Sequence, residues 1–255
     1  GQSNSMTGPY VGPNPAPTPL AAGTEPPLPL PPAAPSPPSP APPTRVTPIS
    51  SHPRFLSEGG GPVLDMGPYY ITDLVNLLGP VKAVQAMSLT PHKQRPIRSE
   101  PKKGQLMPVR IATHVTGTLQ FVSGPLIQVT LSFDVPKHSH QPYEIYGTKG
   151  SMLVPDPNMF GGKLKMAPPR AEDWKGVRVT LPYADANYRS LGVADMAYGI
   201  INSRPHRCSG ELSLHVLEVM EAFETASKSG EIVKIRSKAE RPAPISDSLK
   251  QNKIA

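Results

Sequence analysis

GGGPVLDMGPYYITDLVNLLGPVKAV, residues 59–84, decides how the rest of the chain is read. The glycine run, the apolar spacing and the closing Gly79-Pro80 divide it into a turn, a helix and the start of a strand. Pro62 suits a first helical turn, where its missing N–H has no partner to lose. Val63, Leu64, Ile71, Leu74, Val75, Leu77 and Leu78 make one apolar face. Gly79 and Pro80 stop the helix. Gly67-Pro68 is expected to bend or loosen it, because Pro68 has no N–H for the carbonyl of Leu64. The stretch also holds a carboxylate and a phenol four residues apart, Asp65 and Tyr69, with Thr72 three residues further on. That spacing puts the three on one helix face.

After this helix the apolar period shifts towards two, and strands are expected at 81–89, 109–124, 125–135 and 142–157, the last folded back on itself at Gly147-Thr148-Lys149-Gly150. Shorter strands are expected at 163–167, 177–183 and 231–237. The links are short, which favours an antiparallel sheet over βαβ crossovers and an α+β fold class. Two further helices are expected, at 188–203 and 209–229, the second capped by Ser209 and closed by Gly230. His215 falls on the apolar face of that last helix and reads as a satisfied core residue.

The first 53 residues have a different composition. They hold half of the chain's 36 prolines, and Glu25 is their single acid. Proline fixes φ and removes the backbone donor, and bulky apolar residues are too few to offset ordering entropy. Residues 1–53 are therefore read as a disordered Pro-rich leader, 54–245 as the folded domain and 246–255 as a polar tail. Net charge is +7, and aromatics make up only 5% of the 255 residues, so the aromatic-interleaved basic surface of a nucleic-acid site is not in view. The densest basic group, Lys93, Arg95, Arg98, Lys102 and Lys103, reads as a solvated loop. The lone Cys208 excludes an intrachain disulfide or a cysteine-based zinc site. His138 and His140 form either a metal pair or part of a solvated turn. No apolar run approaches the roughly 20 residues of a membrane span, and no signal peptide is visible, so a cytoplasmic location is expected.

Three segments, 59–81, 144–162 (EIYGTKGSMLVPDPNMFGG) and 192–222 (GVADMAYGIINSRPHRCSGELSLHVLEVMEA), in this order and spacing, resemble the C-terminal domain of the Gfo/Idh/MocA oxidoreductases. The resemblance implies an open-faced, mostly antiparallel sheet with helices packed on one face, whose bare side joins subunits into a homo-oligomer. It implies hydride transfer between NAD or NADP and a sugar-like or other small hydroxy substrate. In the family's first C-domain helix an Asp is followed four residues later by a His or Tyr; those positions fall on Asp65 and Tyr69. The family's third polar position falls on Thr72, with Asp73 one step off. Hydride leaves a carbinol carbon only as its hydroxyl proton departs, and a phenol can relay that proton when a neighbouring cation lowers its pKa from about 10. The resemblance thus makes Tyr69 the acid/base candidate and Asp65 an orienting group. Thr72, Asp73, His206 and Arg207 are candidate substrate contacts, the last two at the N-terminus of the last helix.

The resemblance breaks in one place. A dinucleotide domain needs a strand, a GxGxxG-type turn and a helix within about 30 residues. Gly59-Gly60-Gly61 follows no strand, and the Gly147–Gly150 segment reads as a hairpin turn. The family's Glu-Lys-Pro motif is also absent. The cofactor-binding domain is expected to be missing, and the chain to be inactive alone. Three readings follow: a fragment of an oxidoreductase, a non-catalytic binding or oligomerisation module, or a split enzyme completed by a Rossmann domain on another chain.

Overall fold

The computed structural model describes residues 53–180, 182–183 and 186–245. The expected leader, except for Pro53, and the expected tail lie outside the described residues. Pro53 opens a 3₁₀ turn, Pro53–Leu56. The helix α1 (Pro62–Leu78) follows, then strands β1 (Val81–Leu89), β2 (Gln94–Pro96), β3 (Leu106–Pro108), β4 (His114–Phe121) and β5 (Leu126–Ser132). A second group of strands follows: β6 (Tyr143–Gly147), β7 (Gly150–Val154), β8 (Leu164–Ala167) and β9 (Lys175–Val177). Helices α2 (Leu191–Ile201) and α3 (Gly210–Ser229) and the short β10 (Val233–Lys234) complete the described fold.

The main sheet has the order β10-β1-β4-β5, and each neighbouring pair is antiparallel. Helices α1 and α3 pack on one of its faces and against each other. Val84, Leu119 and Phe121 of the sheet meet Ile71 and Val75 of α1 and Val219 and Phe223 of α3 in the core. Strands alternate their side chains between faces, so the other face carries Gln85, Met87 and Leu89 of β1, Thr116 and Thr118 of β4, and Gln128 and Thr130 of β5. This is the α+β, open-faced, mostly antiparallel architecture with helices on one side. The face opposite the helices is mainly a lattice of amides and hydroxyls, and Thr116 Oγ1 lies 3.1 Å from Thr130 Oγ1.

Two glycines set how closely these layers approach. A Cβ on Gly117 would lie 2.4 Å from the Gln85 carbonyl oxygen and 2.9 Å from the Phe223 ring. A Cβ on Gly67 would lie 2.7 Å from Met220 Sδ, so α1 and α3 touch where Gly67 has no side chain. The expected loosening at Gly67-Pro68 does not interrupt α1, which is helical through both residues. Ser209 caps α3 by accepting from the Leu212 N–H at 3.2 Å, and Gly230 ends it in the left-handed region at φ 73°.

Three expectations are corrected. The charged excursion after β1 contains the hairpin β2–β3. Arg95, expected in a solvated loop, is 7% exposed. It ion-pairs with Asp134, whose other carboxylate oxygen accepts from Thr113 Oγ1 at 2.6 Å. The strand expected at 177–183 instead ends at Val177 as β9. Its Val177 pairs with Leu164, the first residue of β8, so the ladder has no partner to offer Arg178 and Val179. The strand expected at 231–237 shrinks to Val233–Lys234.

Candidate active site

The candidate site starts at Gly61, which caps α1 with φ 101°, and whose carbonyl accepts from the Asp65 N–H at 3.0 Å. Asp65 sits in the first turn, where the helix dipole favours a carboxylate. It is half-buried, and among the described residues its carboxylate accepts no hydrogen bond. One turn on, Tyr69 is 41% exposed. The Arg189 guanidinium carbon lies 5.9 Å from the centre of the Tyr69 ring. Arg189 also donates from Nη2 to Asn158 Oδ1 at 3.3 Å. Thr72 is half-buried on the same stretch of α1.

Arg189 connects this helix face to a cavity of about 520 Å³. Phe160, Tyr183 and Tyr188 make aromatic walls, and Leu191 and Gly192 bring in the first turn of α2. Phe160 and Tyr183 both meet Tyr188 edge-on, at centroid distances of 6.0 and 5.1 Å. Arg207 and Asp195 close the far side. Asp195 Oδ1 takes Arg207 Nη1 at 2.5 Å and Arg204 Nη2 at 3.1 Å, while Oδ2 accepts from the Arg207 N–H at 2.7 Å. Burial alone would raise the Asp195 pKa; the Arg207 N–H and the two guanidinium groups outweigh it and hold the carboxyl below the usual range. Arg207 also donates to the Ala243 and Pro244 carbonyls, so it clamps the segment after β10 as well as lining the cavity.

The sequence-predicted residues thus fall into four places. Asp65, Tyr69 and Thr72 share the α1 face, Arg207 lines the cavity, and Tyr69 meets that cavity through Arg189. His206 packs behind α2, where a Cβ on Gly199 would approach the His206 Cβ to 3.0 Å, and its buried Nδ1 has no hydrogen-bond partner among the described residues. Asp73 lies towards a polar seam joining α1 to β6. Burial raises its pKa to about 6, and its charge acts on Tyr143. In that seam Tyr143 donates to the Tyr70 carbonyl at 2.6 Å and Tyr70 donates to Asp156 Oδ1 at 3.1 Å. Burial first, then the Asp156 charge and hydrogen bond, push the Tyr70 phenol up to about 12. Arg189, Tyr70, Tyr143 and Asp156 were not among the expected site residues. Arg189, Tyr143 and Asp156 come from outside α1, and Tyr70, next to Tyr69 on α1, falls outside the spacing that singles out Asp65, Tyr69 and Thr72. His138 and His140 stack at 6.3 Å, and no cluster of three or more metal-ligating side chains exists among the described residues. None of the described helices is long and apolar enough to cross a membrane.

Residues 39–153 match the family model of the GFO/IDH/MocA C-terminal domain. The fold of the chain is similar to that of levoglucosan dehydrogenase in the apo form, at 19% identity and TM-score 0.61 over 77% of this chain and 57% of that one. It is also similar to an NAD binding oxidoreductase from Klebsiella pneumoniae, at 19% identity and TM-score 0.57 over 71% of this chain and 52% of that one. An aldose-aldose oxidoreductase from Caulobacter crescentus, complexed with glycerol, matches at 22% identity and TM-score 0.53 over 69% of this chain and 48% of that one. The chain therefore spans about half the length of these proteins. No curated protein sequence matches it.

Levoglucosan dehydrogenase is also known in complex with NADH. The described residues of this chain do not fit a dinucleotide. The glycine run at 59–61 follows a 3₁₀ turn, not a strand. Gly147 and Gly150 pair with each other across a hairpin. Every described strand pair is antiparallel, so no strand–turn–helix crossover offers its N–H groups to a pyrophosphate.

Proposed function

We propose that this chain is the substrate-holding half of an NAD(P)-dependent oxidoreductase acting on a sugar-like or other hydroxy substrate. The observation that carries the reading is Tyr69, solvent-accessible on α1, with its ring centre 5.9 Å from the guanidinium carbon of Arg189, a residue that lines the aromatic-walled cavity. A substrate in that cavity presents a carbinol hydroxyl towards the phenol. The Tyr69 oxygen, entering as phenolate, would take the hydroxyl proton, and Asp65, one turn earlier, would orient the substrate; a nicotinamide on a separate domain would supply the hydride acceptor. The chain by itself is inactive because none of its described residues cradle the cofactor. The alternative, a non-catalytic module that partners a full-length relative or a separate Rossmann chain, keeps the same cavity and gives up the proton relay.

Calorimetry with NADH and NADPH on the purified chain tests the first part. The expected outcome is no saturable binding at millimolar cofactor; a saturable isotherm would sink the claim that the cofactor site lies elsewhere. Sugar titrations test the second. Tyr69→Phe keeps the ring under Arg189 and removes one hydrogen bond, so sugar affinity should fall by about 0.5–1.5 kcal/mol, the usual net value of such a bond. Unchanged affinity would place the substrate away from Tyr69.

A further inference from the structure

We propose that the cavity beside Tyr69 takes an anionic sugar, a ring bearing a carboxylate, with Arg189 as the group that recognises the charge. The inference rests on the reading of this cavity as the substrate site. Three observations carry it.

The first is an imbalance of charge. Among the described residues the cavity is lined by two guanidinium groups, Arg189 and Arg207, against the one carboxylate of Asp195. That carboxylate is already shared between Arg207 and Arg204. Asp156, two residues before Asn158, is engaged by the Tyr70 hydroxyl and the Asn158 N–H. Among the described residues no carboxylate pairs with Arg189.

The second is what Arg189 does touch. Its partners among the described residues are neutral: the Asn158 side-chain oxygen at 3.3 Å and the Tyr69 ring face. A guanidinium near an aromatic face and bonded to one amide oxygen still has N–H groups to donate, and its fork matches the two oxygens of a carboxylate. Neutral hydroxyls alone would not require it.

The third is the rest of the wall. Phe160, Tyr183 and Tyr188 supply flat apolar surface for the C–H face of a sugar ring, while a cavity of about 520 Å³ has room for a monosaccharide. A carboxylate held by Arg189 lies near Tyr69, because the guanidinium carbon is 5.9 Å from the Tyr69 ring centre. The charge therefore fixes which end of the ring, and so which carbinol, faces the phenol.

Titration of the full chain with D-glucuronate and D-glucose, by calorimetry or ligand-observed NMR, tests this. Glucuronate should bind about tenfold more tightly, the worth of one charge-assisted contact. Its affinity should fall between about 50 and about 500 mM salt while that of glucose stays level. In Arg189→Ala, checked for folding by circular dichroism, the glucuronate-to-glucose ratio should drop to near one; in Arg189→Lys, which keeps the charge and loses the fork, it should lie between. Equal affinities in the native chain, or an unchanged ratio in folded Arg189→Ala, would overturn the anion inference and leave the sugar site standing. Binding of neither sugar at about 50 mM, with the chain folded, would overturn both.

Discussion

Asp73 and Asp195 are carboxylates in opposite surroundings. Asp195 has two arginines and a backbone N–H, which keep it charged in spite of burial. Asp73 has burial and no compensating partner, and its pKa rises from 3.8 to about 6. Between those values the folded chain holds a proton that the unfolded chain has released. Stability therefore declines as pH rises through that window, and the full penalty is present above about pH 6. Asp73→Asn removes the penalty. At neutral pH it should be more stable than the native chain by about 1–2 kcal/mol, a figure already reduced for the part of the side chain that water still screens. Urea unfolding at a series of pH values checks this: the two proteins should converge below about pH 4. A native chain as stable as the variant at pH 8 would mean that Asp73 has a partner when charged.

At the scale of elements, two buried polar pairings tie distant segments together. His215 of α3 accepts the Val81 N–H at Nε2, 2.9 Å away, and its Nδ1 lies 2.9 Å from Ser237 Oγ. It joins the last helix to the first strand and to the segment after β10. Burial lowers its pKa, so the ring stays neutral. A histidine with a depressed folded pKa contributes stability above its unfolded value of 6.5, lost as pH falls through the folded value. His215→Ala leaves a buried backbone N–H unpaired and should cost about 1–3 kcal/mol plus the cavity it opens. Protection of the Val81 amide from hydrogen exchange should fall with it, and retained protection would count against the assignment. Arg95 and Asp134 form the second pairing, at the β2–β3 hairpin. Arg95→Ala strands a buried carboxylate and should destabilise by about 3–5 kcal/mol, whereas Arg95→Met, which fills the same space, leaves hairpin packing intact and should cost less in thermal melts. The contrast marks what could be read from the sequence. Helices α1 and α3 were legible because their periodicity and caps are local, and so was the core role of His215. The buried state of Arg95 was not, because its partner is a long-range contact that a local charge run conceals. The end of β9 was not legible either: 178–183 alternates well enough for a strand, but β8 begins at Leu164 and leaves it nothing to pair with. Asp65 and Tyr69 stood out through their spacing and a family resemblance. Arg189, which gives Tyr69 its neighbour, came from a turn far along the chain with no motif around it.

For the whole molecule, two surfaces are bare enough to meet a second copy. The sheet face opposite the helices is the candidate implied by the family resemblance, and we propose that two copies join there. Most of that face is Thr and Gln, with Met87 (75% exposed) and Leu89 at one end. An interface there would be partly a lattice of hydroxyls and amides, centred on the apolar corner that Met87 and Leu89 make. Helix α2 offers a competing surface. It is apolar nearly all round, yet Val193, Ile200 and Ile201 (77% exposed) lie open, and a helix of that composition is normally covered. Sedimentation velocity across a concentration series separates the two. If the sheet face is the contact, Met87→Glu with Leu89→Lys should turn the assembly into monomers and leave the melting temperature nearly unchanged, because both side chains already face solvent within one copy. Ile200→Glu with Ile201→Lys should leave the defined assembly in place and reduce only non-specific aggregation. The reverse result, dissociation by the α2 pair and none by the sheet pair, would move the interface to α2. It would also put that contact beside the cavity, whose wall α2 begins, and substrate binding would then depend on protein concentration.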